Sequence, residues 1–256
     1  MIKDNAIFKA LVALLVAFTL GYFGIVIIHN VFSNIMNDLD NSVKNEYSRY
    51  KIGEFVLKEI SLIEANFYKM GIVSKVRALE PIQTEIQTEI QNILNAIEVL
   101  EKGGVLRSQI KLNLIETNST IDETYFKVDD DKKYVFEAID LIPKLDELKL
   151  KTSEMEEIVK LKLSIFESSD EKYIKDNMFK VELYFKQIPT LFIRMKENSS
   201  RLLYDSKRNI STLEKNIQKE KEYYKNLENI FTYIVIIIVI LLGTFVIKQI
   251  LFKILT

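Results

Sequence analysis

Two uncharged apolar runs stand near the ends of this chain, ALVALLVAFTLGYFGIVII at 10–28 and IFTYIVIIIVILLGTFVI at 230–247. Each has the length of a membrane-spanning helix, about 20 apolar residues. Hydrocarbon offers no partner for backbone N–H and C=O groups, so helix is the economical form for both. Tyr22 and Tyr233 suit the membrane interfaces. The first run exceeds the roughly 7–15 residues of a signal-peptide core, and no small-x-small cleavage site follows it. It is therefore expected to remain as an anchor. His29, the only histidine, closes that run and is expected at the membrane boundary.

The short flanks set an orientation. Lys3 and Lys9 precede the first run, and Lys248 and Lys253 follow the second. The stretch HNVFSNIMNDLDNS after the first run carries two aspartates and no lysine or arginine. Positive flanks stay inside. The expected division is a cytoplasmic tail at 1–9, a transmembrane helix at 10–28, an extracytoplasmic domain at 29–229, a transmembrane helix at 230–247 and a cytoplasmic end at 248–256. In a bacterium this is a cytoplasmic (inner) membrane protein with a periplasmic centre.

The central region reads as long helices, in keeping with only seven glycines and three prolines. A first helix leads from the membrane through Phe32, Met36, Leu39, Val43, Tyr47 and Tyr50, then Val56, Ile60, Ile63, Phe67 and Met70, with Gly71 as its C-terminal cap. A second occupies about 75–102, with Ile82, Ile86, Ile90, Ile93, Ile97 and Leu100 on one face and Pro81 near its start. A third is expected over about 131–166, with Pro143 as a bend. The last begins near 171 after Ser168, Ser169 and Asp170, three candidate N-caps, and continues through the second apolar run. Its Ile174, Met178, Val181, Phe185, Ile188, Phe192 and Met195, then Ile210, Leu213, Ile217, Glu220, Tyr224, Leu227 and Phe231, alternate at steps of 3 and 4. That is an a/d seam, with Pro189 as a kink candidate. At 1.5 Å per residue its exported part would rise about 90 Å. Ser199, Ser206 and Glu220 are polar at seam positions. They either face solvent or a crowded junction, or loosen the packing enough to keep the seam bistable. The fold class is thus all-α: two transmembrane helices flanking an elongated up-down four-helix bundle, with a short extended segment near 105–115.

That segment is the least generic part of the domain. VLEKGGVLRSQIKLNL, 99–114, holds two adjacent glycines, Gly103 and Gly104, followed by the alternation Ile110, Leu112, Leu114. The glycines supply a hinge or turn that ends the second helix. The alternation lays one face of an extended piece on the bundle. The connection it opens, near 103–130, is too long for a tight turn, a length that is usually functional or disordered.

Chemistry is sparse elsewhere. The net charge of −1 argues against nucleic-acid binding. The absence of cysteine removes disulfides and thiolate chemistry, and a single histidine disfavours a catalytic triad or imidazole metal site. No phosphate loop, nucleophile elbow or zinc helix motif occurs. Asp129, Asp130 and Asp131 lack calcium-loop spacing. No catalytic residue, metal ligand or cofactor is expected.

The layout resembles the sensor half of bacterial transmembrane receptors: sensor histidine kinases, chemoreceptors and membrane-bound diguanylate cyclases. More locally, ISLIEANFYKM (60–70), IEVLEKGGVLRSQIKLNL (97–114) and Tyr125 resemble a helical sensor region of some proteobacterial histidine kinases. The resemblance implies an extracytoplasmic four-helix sensor, pairing as a homodimer around its membrane-proximal helices. Such receptors continue into a cytoplasmic linker and an output domain, whereas this sequence ends at IKQILFKILT. It is read as a fragment or as a protein that signals through a cytoplasmic partner, and no kinase or cyclase activity is carried over.

Two functions are weighed. In the first, the exported domain binds an unknown small ligand or periplasmic protein and passes a helix displacement across the membrane. Arg107, which could clamp an anion, with Asn113 and Tyr125 as directional hydrogen-bonding groups, is the candidate ligand set. The same residues could instead simply tie the loop to the bundle. In the second, the chain is a membrane-tethered structural or assembly protein that uses its helices as a spacer or docking post.

Overall fold

A computed structural model describes residues 2–111, 118–126, 140–167 and 170–255. Among the described residues four α-helices dominate: α1 (Ile2–Gly71), α2 (Leu79–Lys102) after a short 3-10 turn (Val76–Ala78), α3 (Leu141–Glu167) and α4 (Glu171–Leu255). Between α2 and α3 lies an antiparallel hairpin, β1 (Gly104–Lys111) and β2 (Asn118–Tyr125). The chain divides into two compact units. Residues 1–43 and 212–256 form one, and residues 44–211 form the other.

The first unit is a pair of helical segments from α1 and α4. Each contains an apolar window, of mean hydropathy 2.7 and 3.0, that is only 6% buried. A soluble core helix of that composition would be mostly buried; these are long and apolar enough to cross a membrane and expose that surface. The two segments approach closely at small residues. A Cβ on Gly21 would run into Val239, and one on Gly24 would rest 3.7 Å from Val235 Cγ1. Close approach at small side chains is how helices gain contact in a medium as apolar as their own side chains. At and beyond the edge of these apolar runs, His29 Nδ1 lies 2.9 Å from Glu228 Oε1, Lys221 pairs with Asp40, and Phe32 packs on Tyr224 and Phe231.

The second unit buries one continuous core drawn from all four helices and both strands. Neighbouring helices run antiparallel. Asn66 and Asn92 donate across to Glu89 and Glu59 (3.1 and 2.9 Å) between α1 and α2. Between α3 and α4, Asp140 accepts from Asn198 (2.7 Å), while Ser164 meets Tyr173 (3.1 Å). Between α4 and α1, Lys196 pairs with Glu64, and Leu202 packs at Gly53. In this core Phe67 stacks on Tyr184 and meets Phe192 edge-on. Tyr184 donates its hydroxyl to the Lys151 carbonyl, and burial pushes its pKa well above the usual tyrosine value. Glu59 is a buried carboxyl whose pKa burial raises, with the Asn92 hydrogen bond opposing the shift.

Local chemistry explains the helix ends. Asp170 caps α4: its Oδ1 accepts from the backbone N–H groups of Lys172 (2.9 Å) and Tyr173 (3.2 Å). Ser168 and Ser169 lie outside the described residues. Gly71 ends α1 where a side chain has no room, because a Cβ would sit 2.6 Å from Phe185 Cζ. Pro81 and Pro143 both fall in the first turn of a helix, where the missing N–H has no intrahelical acceptor in any case. Pro143 thus stands near the start of α3 as described. Residues 127–139, the expected start of the third helix, lie outside the described residues.

The seam of α4 follows its expected spacing from Ile188 through Phe192, Met195, Ser199, Leu202, Ser206, Ile210 and Ile217, all buried. Glu220 is exposed, the solvent-facing alternative, whereas Ser199 and Ser206 are buried. Two expectations shift. Met178 is exposed and Asn177 takes the inward position. In α1, Tyr47 points out while Ser48, Arg49 and Ile52 are buried. The aromatic residues there suggest a continuing stripe, but the helix turns 100° per residue, and stepping back from Val56 by 4 and 3 reaches Ile52 and Arg49.

Candidate functional site

The double glycine turns the chain from α2 into β1. The Gly103 N–H closes the last turn on the Val99 carbonyl (2.8 Å), and φ then becomes positive at Gly103 (78°) and Gly104 (138°). An L side chain would strain both positions.

The expected single extended piece is one strand of a hairpin. Gly104 pairs with Tyr125, Leu106 with Glu123, Arg107 with Asp122 and Lys111 with Asn118. The partner strand NSTIDETY was missed in the sequence. Its β-branched Thr120, Ile121 and Thr124 beside Tyr125 were the available signal, although such short runs discriminate poorly.

Strand alternation separates the candidate residues. Positions directly opposite each other share a face, so Gly104, Tyr125 and Leu106 lie on one face and Arg107 and Asp122 on the other. Tyr125 is 2% exposed and belongs to the core with Leu106. The Arg107 side chain is 77% exposed, and its Nε is 3.6 Å from Asp122 Oδ2. Arg107 and Tyr125 do not converge. Asn113, Leu112 and Leu114 lie outside the described residues.

What the hairpin does bring together is its own end and α1. Asn45 clasps Phe126 with both ends of its amide: Oδ1 accepts from the Phe126 N–H (2.6 Å) and Nδ2 donates to the Phe126 carbonyl (2.7 Å). On the same stretch of helix, Lys51 donates to Glu54 (2.7 Å) and feels the charge of Glu123 on β2. The hydrogen bond from Lys51, with a second from Tyr50, holds the Glu54 carboxyl below the usual range despite its partial burial. Arg49, 1% exposed, places Nη1 3.3 Å from Glu46 Oε2. Asn45, Glu46 and Arg49 were overlooked because they are polar residues in an apolar register. Extending the seam backward from Val56 would have flagged Arg49.

Asn45→Ala removes both clasp bonds and leaves the Phe126 backbone groups to water. It is expected to speed hydrogen exchange at the Phe126 amide by about tenfold, the equivalent of one ordinary hydrogen bond's net worth, with little change in global unfolding. Unchanged exchange would show that the apolar Tyr125 and Leu106 hold the hairpin without it.

Among the described residues, no group of three or more His, Asp or Glu side chains is placed to hold a metal ion. No protein-family model, curated protein or solved structure matches the chain.

Proposed function

We propose that this chain is a two-span sensor of a bacterial cytoplasmic membrane. Residues 29–229 lie outside as an up-down four-helix bundle bearing a hairpin, and both termini lie in the cytoplasm. The domain binds a small ligand or an extracytoplasmic protein, and its response crosses the membrane as a displacement of α1 against α4. It acts as a homodimer and delivers that displacement to a cytoplasmic signalling partner.

The observation that carries this reading is helix continuity. α1 (Ile2–Gly71) and α4 (Glu171–Leu255) each contribute both to the buried core and to an apolar membrane-length window, without a break. A helix that shifts by a fraction of a turn in a close-packed core moves as a rod, so its other end must follow. Two buried serines sit in the α4 seam. Ser199 returns its hydroxyl to the Met195 carbonyl (3.1 Å), and Ser206 Oγ has no hydrogen-bond partner among the described residues. Polar seam positions cost packing stability, and a seam weakened there is the place where a small shift of α4 costs least.

The chain has no cysteine, so every introduced thiol is unique. Single cysteines at Ser42 and Gln249 test the topology. A membrane-impermeant maleimide is expected to label Ser42→Cys in intact cells and Gln249→Cys only after permeabilisation; the reverse pattern sinks the orientation. The pair Gly24→Cys and Val235→Cys, close in the spans, tests the relay. Adding Ser206→Leu in the core is expected to change the rate of disulfide formation severalfold. An unchanged rate, with a stable co-purifying envelope partner, favours the docking-post reading instead.

A further inference from the structure

We propose that a groove between α3 and α4 in the exported unit binds a small zwitterion, a molecule carrying one carboxylate and one ammonium. The groove has a volume of about 390 Å³. Its floor is apolar and buried, formed by Tyr184, Ile188 and Leu191. Its charged lining comes from Glu147 and Lys151 on α3 and Arg194 on α4. An apolar floor with a few convergent polar groups is the usual anatomy of a small-molecule site.

The charges select the ligand class. Lys151 is already engaged: its Nζ lies 2.6 Å from Glu154 Oε2 and 5.7 Å from the centre of the Tyr184 ring. Arg194 and Glu147 line the same groove, yet neither makes an ion pair among the described residues, with each other or with any other group. Lys144, Lys149, Lys151, Lys160 and Lys186 on these two helices each pair with a carboxylate three or four residues away. A lone anion would meet the repulsion of Glu147, and a lone cation that of Arg194 and Lys151. A molecule with both charges satisfies both walls: its carboxylate meets the planar guanidinium of Arg194 in the bidentate manner that group favours, and its ammonium meets Glu147. The Tyr184 ring, fixed by its hydroxyl bond to the Lys151 carbonyl, gives the intervening carbons an apolar surface.

This site rests on the sensor reading for its purpose, but not for its detection. Isothermal titration of the full chain in lipid nanodiscs, with glycine, β-alanine and γ-aminobutyrate as a series of growing charge separation, tests it. Acetate and methylammonium are the single-charge controls. At least one of the three is expected to bind more tightly than either control. Glu147→Gln and Arg194→Gln, both at exposed positions, are each expected to weaken it by about tenfold. Acetate binding as tightly as the series, with Glu147→Gln without effect, makes this an anion site and overturns the proposal. No heat from any of the three at concentrations up to about 10 mM overturns it as well. Repeating the titration on the Gly24→Cys/Val235→Cys chain separates the two readings: binding that leaves the disulfide rate unchanged keeps the site and sinks the relay, whereas absent binding sinks the site alone.

Discussion

Phe192→Ala is expected to destabilise the unit formed by residues 44–211 by about 3–5 kcal/mol, the usual cost of emptying a large aromatic position in a closed core. Phe192 is fully buried in the described structure. Its ring meets Phe67 edge-on at 5.7 Å and lies 6.5 Å from Tyr68, both on α1. Phe67 in turn stacks on Tyr184 at 6.3 Å. Two costs add: the lost transfer of the ring from water, and the cavity left behind. The cavity does not close, because its walls belong to long helices that cannot bend locally to fill it. For a unit of this size the loss corresponds to a fall in melting temperature of about 8–15 °C, read by far-UV circular dichroism of the full chain in detergent. Phe192→Leu, which keeps most of the volume, is expected to recover more than half. A fall of under about 2 °C in Phe192→Ala would mean that the position is not closed in by α1 at all.

Arg49→Ala carries the second large effect, about 3 kcal/mol, and its physics is different. Arg49 and Glu46 are a buried ion pair one turn apart on α1, with side chains 1% and 13% exposed. Removing the cation takes a counter-charge from a carboxylate largely shielded from water, and breaking one side of a buried ion pair is what makes such truncations costly. The pair itself contributes little, since desolvating two ions consumes most of their attraction. The expected pattern is therefore asymmetric. Arg49→Ala is severe, while Glu46→Leu with Arg49→Met is close to wild type or more stable. A single Arg49→Met variant as stable as the wild type would show that Arg49 acts through the packing of its aliphatic stem and not through its charge.

How far the sequence could be read differs element by element. The membrane-length runs and the α4 seam from Ile188 to Ile217 were legible because each rests on many residues repeating one period, so local noise averages out. The same periodicity failed at Tyr47 and Met178. There a large apolar side chain near the stripe outweighed a polar one inside it, and only burial distinguishes them. The double glycine was legible as a break, since two successive positive-φ residues admit little else. The hairpin was not, because a strand exists only with its partner and the pairing of Arg107 with Asp122 is written in neither segment alone. The candidate set of Arg107 and Tyr125 fell apart for the same reason. Once register is fixed, odd and even positions part to opposite faces, and no reading of residue types reveals which.

The sequence by itself determined that two stretches of this chain are long and apolar enough to cross a membrane, that helix is their economical form, and that helical seams continue from them into a charged central region. These follow from composition and period, which act at every residue independently of where the chain goes next. Only the tertiary structure decided which polar residues enter the core: Arg49 with Glu46, Ser199 and Ser206. It also decided that Asn45 clasps Phe126 and that Glu147 and Arg194 face one groove from different helices. Each of those depends on what other helices pack around the residue, and the free energy of a buried or unpaired charge is set by those surroundings, not by the residue that bears it.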